Sequence, residues 1–149
     1  MLKIFFASLF FLLLITTTAK SKNFVEDIET YYSKNNGTVS LIYSFNRCSG
    51  VLAYYASMLF KKPDEQNDAI TLVQFSSAAT EFATELHSKH NNLSISQARI
   101  TMENRMMELD ELYRKDAKEN FLKRGRYLSP IILSDINYCV KEISDLLKS

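Results

Sequence analysis

The two cysteines are the residues whose chemistry the sequence constrains most tightly. Cys48 and Cys139 each occupy a position in a series of apolar residues spaced three or four apart, which places both on the buried face of a helix. The sequence has no Cys-x-x-Cys redox motif and no Cys-x-x-Cys-His haem motif, and two cysteines alone cannot complete a structural zinc site. We therefore expect a structural disulfide between Cys48 and Cys139, a bond that oxidising compartments favour.

A second candidate site contains the only histidines, His87 and His90. Their spacing of three can put both imidazoles on one helix face, where Glu85 could add a carboxylate oxygen for zinc or copper. The spacing matches neither the Glu-x-x-His motif of di-iron bundles nor His-Glu-x-x-His. Histidines also suit the C-terminal end of a helix, where cations offset the dipole. A surface metal site and a solvated helix end are thus both open.

Arg47, Tyr43 and Tyr54 are the candidates for contact with a partner. Five of the eight tyrosines precede residue 60, and clustered tyrosines can form a surface that contacts protein or glycan. Tyr43 and Tyr54 lie off the apolar stripe of their segment. Arg47 precedes Cys48 but points about 100° away round the helix. It either reaches solvent or pairs with a carboxylate from another helix.

The sequence lacks the common catalytic and phosphate-binding motifs. It contains no Gly-x-Ser-x-Gly, no P-loop and no Gly-x-Gly-x-x-Gly, and its adjacent carboxylates diverge around a helix. The formal net charge is +1, and nucleic-acid-binding domains usually carry a basic face. We therefore expect a protein without catalytic activity, without a cofactor and without a nucleic-acid partner.

The elements that position these residues are predicted to be helices throughout. Glycine and proline are scarce, and the segments between the turn signals show helical apolar spacing with no sustained alternation. Ser94 and Gln97 have the spacing of a capping box, Gly125 is placed to end a helix, and Ser129 or Ser134 can cap the last segment. The fold class is accordingly all-α: a small bundle of four longer helices after one short N-terminal helix, residues 23–34.

The second and third predicted segments should form a close hairpin about Pro63. Folding the chain there sets Gly50 and Ala53 roughly opposite Val73 and Ser76. Small residues on both helices would let the two backbones approach each other closely.

The N-terminal residues have the layout of a secretory signal peptide. Lys3 precedes an uncharged apolar run over residues 4–15, and small residues follow up to Ala19. A run of this length is short for a membrane span, so an uncleaved anchor is the less favoured alternative. We expect a signal peptide over residues 1–19, a single helical domain over residues 20–149, and export to the periplasm or the extracellular space.

Three functions are compatible with this composition. The first is a small exported, disulfide-stabilised helical protein that binds another protein or has a structural role without catalysis. The second is a carrier of a small ligand or metal. The third is a single-span membrane protein that uses residues 38–60, although Arg47 would then lie near the centre of the bilayer, where a charge is costly.

Overall fold

The computed structural model describes Phe24 and residues 26–148. This part of the chain forms five α-helices and contains no strand, which confirms the predicted all-α bundle. The helices are α1 (Ile28–Lys34), α2 (Thr38–Leu59), α3 (Gln66–Asn91), α4 (Ile95–Arg124) and α5 (Pro130–Leu146), with a 3-10 turn at Pro63–Glu65 before α3. The predicted signal peptide, residues 1–19, lies outside the described residues.

Side-chain caps fix where most of the helices begin. Ser94 and Gln97 form the predicted capping box at the start of α4, and Ser129 caps α5 by accepting a hydrogen bond from the amide of Ile132. Asp27 caps α1, which therefore begins at Ile28 and is shorter than the predicted segment. Gly125 ends α4 with a positive φ of 69°, a conformation that glycine adopts without strain.

Helix α2 is the centre of the bundle. It packs against each of the other four helices, and its buried residues extend round much of its circumference. It forms an antiparallel hairpin with α3, and a polar contact joins the two helices where the Ser49 hydroxyl lies 2.6 Å from the Thr80 hydroxyl. Ser76 donates a 2.9 Å hydrogen bond to the carbonyl oxygen of Ser49 at the same level.

At Gly50, α2 closely approaches α4. A Cβ atom built on Gly50 would lie 2.8 Å from the Cβ of Leu109 and 3.3 Å from the backbone nitrogen of Asp110. Gly50 thus contacts α4, whereas the sequence predicted a contact with α3. Val73, which was expected opposite Gly50, is 46% exposed. Ser76, by contrast, contacts α2 as predicted.

The predicted disulfide is present and joins α2 to α5. The sulfur atoms of Cys48 and Cys139 are 2.07 Å apart, and the two Cα atoms are 5.3 Å apart. Both cysteines are almost completely buried in the core.

None of the helices in the described residues is long and apolar enough to cross a membrane. This finding includes α2, which covers most of residues 38–60.

Candidate functional site

The most unusual chemical feature of the bundle is a buried ion pair between α2 and α5. Arg47 is 2% exposed and Asp135 is fully buried. The Nη2 atom of Arg47 donates a 2.7 Å hydrogen bond to Oδ2 of Asp135, and Nε of Arg47 lies 3.1 Å from the same oxygen. Removing two charges from water is costly, so such a pair is retained only where further hydrogen bonds satisfy both groups.

Tyr113 of α4 completes this buried cluster. Its hydroxyl accepts a 2.9 Å hydrogen bond from Nε of Arg47 and donates a 2.5 Å hydrogen bond to Oδ2 of Asp135. The other carboxylate oxygen, Oδ1, accepts a 2.7 Å hydrogen bond from the backbone amide of Ile28. Helices α2 and α4 and the start of α1 therefore supply partners to one carboxylate.

The residues before α1 cover the cluster. The Phe24 ring lies 4.2 Å from Cζ of Arg47 and 4.4 Å, centroid to centroid, from the Tyr113 ring. The carbonyl oxygen of Glu26 accepts a 2.8 Å hydrogen bond from Nη2 of Arg47. We call Phe24 and residues 26–28 the N-terminal strap. A cation against an aromatic face is favourable when both are shielded from water.

Burial dominates the electrostatics of the cluster. It raises the pKa of the Tyr113 phenol well above the ordinary value of 10.0, and the nearby Asp135 charge acts in the same direction. Burial also raises the pKa of Asp135, against the opposing effects of Arg47, Tyr113 and the Ile28 amide. The pKa of Arg47 lies above its ordinary range because the Tyr113 and Asp135 oxygens outweigh the effect of burial. Tyr113 is therefore neutral at physiological pH, and Arg47 is charged.

The guanidinium, phenol and carboxylate of the cluster are hydrogen-bonded to one another and to the backbone of the protein. Arg47, Asp135 and Tyr113 are each at most 2% exposed, so a substrate could not reach them without displacing the strap. The sequence leaves open whether Arg47 reaches solvent or pairs with a carboxylate. In the structure Arg47 pairs with Asp135 and is 2% exposed.

A groove on the surface is the second candidate site. It lies between the C-terminal end of α2 and the second half of α4, with Tyr127 of the following loop at one side, and its volume is about 520 Å³. Met58 and Ala117 contribute apolar surface. Tyr54 also lines it. Pockets for small molecules typically measure about 300–1,000 Å³, so the groove is large enough to receive a side chain or a small ligand.

The lining of this groove is cationic. Four of its nine lining residues are Lys61, Lys62, Arg114 and Lys118, and none is a carboxylate. Arg114 forms a 2.7 Å ion pair with Asp110, and Lys62 forms one of 3.0 Å with Glu65. Neither Lys61 nor Lys118 makes an ion pair with the rest of the described chain.

Of the three residues predicted to contact a partner, Tyr54 alone lines the groove. Only 4% of its surface is exposed, and burial raises the pKa of its phenol to about 12. The Cζ atom of Arg114 lies 5.7 Å from the centroid of its ring. Tyr43 lies elsewhere, half-buried, with its ring centroid 4.5 Å from that of Tyr31.

The predicted metal-binding residues lie near the C-terminal end of α3. The Nδ1 atom of His87 is 2.9 Å from the side-chain amide of Asn91, and Glu85 forms a 3.8 Å ion pair with Lys89. His90 is exposed. Among residues 26–148 and Phe24, no group of three or more histidine, cysteine, aspartate or glutamate side chains comes together in a way that could hold a metal ion.

Comparison of the chain with protein-family models, with curated proteins and with solved structures finds no match.

Proposed function

We propose that this is a small exported, disulfide-stabilised protein that binds another protein and performs no catalysis. One observation carries the proposal: the groove between α2 and α4 is lined by four cationic side chains, with the half-exposed Tyr127 at one side. The buried Arg47, Asp135 and Tyr113 have their polar groups occupied within the core. Side chains that could bind a partner therefore lie at the surface, whereas the buried cluster of Arg47, Asp135 and Tyr113 is not accessible to one.

The way the groove is built supports a binding role. Its two walls are helices that meet at Gly50 without space for a further methyl group, so their separation is fixed by backbone contact. Binding surfaces on rigid helices lose less conformational entropy on association than those on loops. The disulfide supports export, because such bonds persist mainly in oxidising compartments.

Isolation of the protein from its own host tests this proposal. A C-terminally tagged full chain is crosslinked in intact cells and then purified from the extracytoplasmic and cytosolic fractions. We expect the tagged protein in the extracytoplasmic fraction, linked to one partner in stoichiometric amount. Recovery of the protein alone, or recovery from the cytosol, would contradict the proposal.

The second candidate is a carrier of a small ligand, and the groove volume favours it specifically. Native mass spectrometry of protein purified from its host distinguishes the two functions. A copurifying mass of metabolite size indicates a carrier, whereas a bare polypeptide that still captures a protein partner supports the first proposal. Loss of a copurifying metal on replacing His87 and His90 would instead assign the predicted metal site.

A further inference from the structure

We infer that the groove between α2 and α4 receives an acidic segment of the partner protein, in which carboxylates flank an aromatic or aliphatic side chain. This inference rests on the proposed function and specifies the site and the chemistry of recognition.

Charge is the first argument. Lys61 and Lys118 line the groove without an ion pair to any other described residue, and none of its nine described lining residues is a carboxylate. Like charges brought together around a concave surface repel each other, and an anionic ligand relieves that repulsion. Electrostatic complementarity of this kind favours association with acidic partners and disfavours basic ones. The chain as a whole is close to neutral, with a formal net charge of +1, so the groove is a local concentration of charge.

The apolar surface of the groove is the second argument. Met58 and Tyr127 are the apolar or aromatic lining residues with accessible surface, whereas Ala117 and Tyr54 are 2% and 4% exposed. Tyrosine is enriched at interfaces because its ring buries area while its hydroxyl keeps a polar partner. Tyr127 is 50% exposed, and its ring stacks on that of Phe121 with 4.3 Å between the centroids. A simple inorganic anion would leave this apolar surface uncovered, whereas a mixed acidic and apolar segment would cover it.

Further cationic residues lie in the same part of the sequence, in α4 and the loop after it. Lys115 and Arg124 of α4 and Arg126 of the following loop also make no ion pair with the described residues. Phe121 and Leu122, which are 41% and 76% exposed, lie in the same stretch. Such a surface could also meet an anionic membrane. The concave shape favours an inserted peptide segment over a flat bilayer, and the experiment separates the two.

The test is selection from a library of random linear peptides displayed on phage, with the purified oxidised mature protein as the target. We expect enriched peptides to carry net negative charge and at least one aromatic or large aliphatic residue. The double variant Lys61→Glu/Lys118→Glu should weaken binding of the selected peptides by about tenfold or more. Binding of the wild type should also weaken as the salt concentration rises.

The matched control is Lys89→Glu/Arg105→Glu, which changes net charge equally at two exposed positions that do not line the groove. Circular dichroism and thermal unfolding verify that both variants fold. Equal weakening by the two double variants, or enrichment of peptides without negative charge, would overturn the inference. So would selection of no peptide together with binding to vesicles containing phosphatidylglycerol, because that result assigns the surface to a membrane.

Failure of this binding site can be distinguished from failure of the proposed function. If the crosslinked host partner binds the Lys61→Glu/Lys118→Glu variant as tightly as the wild type, the protein has its binding function but the groove is not the site. If no host partner exists, the proposed function itself fails.

Discussion

Arg47 and Asp135 form a buried ion pair directly beside the disulfide that joins their helices. Arg47 immediately precedes Cys48, and Asp135 lies one helical turn before Cys139. Helices α2 and α5 are thus linked both covalently and ionically at nearly the same level of the bundle. The two links differ in kind, because the disulfide restricts the unfolded chain whereas the ion pair acts only in the folded protein.

Asp135→Ala should lower the free energy of unfolding by about 3–5 kcal/mol, because it leaves the Arg47 charge buried without its partner. The double variant Arg47→Met/Asp135→Leu should lose much less, since no uncompensated charge remains. Urea denaturation of the two variants measures the difference. The control is Asp145→Ala, which removes an exposed 3.9 Å ion pair with Lys148 and should cost less than about 1 kcal/mol. Similar losses for Asp135→Ala and Asp145→Ala would show that the buried pair contributes nothing special.

Removing the disulfide should lower the free energy of unfolding by about 4–5 kcal/mol, since the bond closes a loop between residues separated by 91 positions. The measurement compares the oxidised wild type with Cys48→Ala/Cys139→Ala in urea. Adding a reductant should lower the stability of the wild type and leave the double variant unchanged. Alkylation of Cys48 in unreduced, denatured protein would contradict the bond.

Gly50→Ala should destabilise the protein by about 1–3 kcal/mol, because its methyl group would overlap Leu109 and the backbone of α4. Helix propensity alone predicts the opposite sign, a gain of about 1 kcal/mol for this substitution within a helix. The sign of the change in thermal or urea stability therefore decides between a close contact of α2 with α4 and an ordinary helical glycine. A stabilised Gly50→Ala variant would rule out the contact.

The stability of the protein should fall as the pH rises from about 10 to about 12. Burial raises the pKa of Tyr54 and of Tyr138 from 10.0 to about 12, so the unfolded chain releases these protons first. Their contribution is complete below the unfolded pKa and is lost as the pH rises through the folded pKa. Urea denaturation across this range measures the slope, which should be smaller in Tyr138→Phe. Half-ionisation of the Tyr54 and Tyr138 phenols in the native protein at pH 10 would contradict the shift.

The fold was predictable because the relevant signals are local. Apolar spacing of three and four residues, the Ser94 and Gln97 capping box and Gly125 each depend on a few neighbouring residues, and the structure confirms them. The disulfide was predictable because both cysteines lie on apolar stripes in a chain with no competing cysteine.

Only Arg47 of the ion pair was a candidate from the sequence, because finding its partner Asp135 requires knowing how α2 and α5 pack. Arg47 was recognised as unexplained, but Asp135 was not singled out. A signal was present: Asp135 lies four residues before Cys139 and therefore on the same side of the helix. A disulfide between Cys48 and Cys139 also brings together the charged residues beside them, Arg47 and Asp135. The Glu26 carbonyl and the Ile28 amide bond the ion pair through backbone atoms, which every residue type has. The sequence therefore gives no signal for these two hydrogen bonds.

The groove could not be predicted from the sequence either. Lys61 and Lys118 are far apart along the chain, and their proximity follows from the crossing of α2 and α4 at Gly50. Tyr54 was identified from its position off the apolar stripe, and the structure places it in the lining.

The N-terminal strap lies outside the covalent loop that Cys48 and Cys139 close. Lifting of the strap alone would therefore let water reach the Arg47 charge while the disulfide and the long helices stay intact. The amide proton of Ile28 reports this event directly, since it is held by Asp135 and becomes exchangeable with deuterium when the strap lifts. Hydration of the core charges would then depend on a local opening with its own rate, separate from global unfolding.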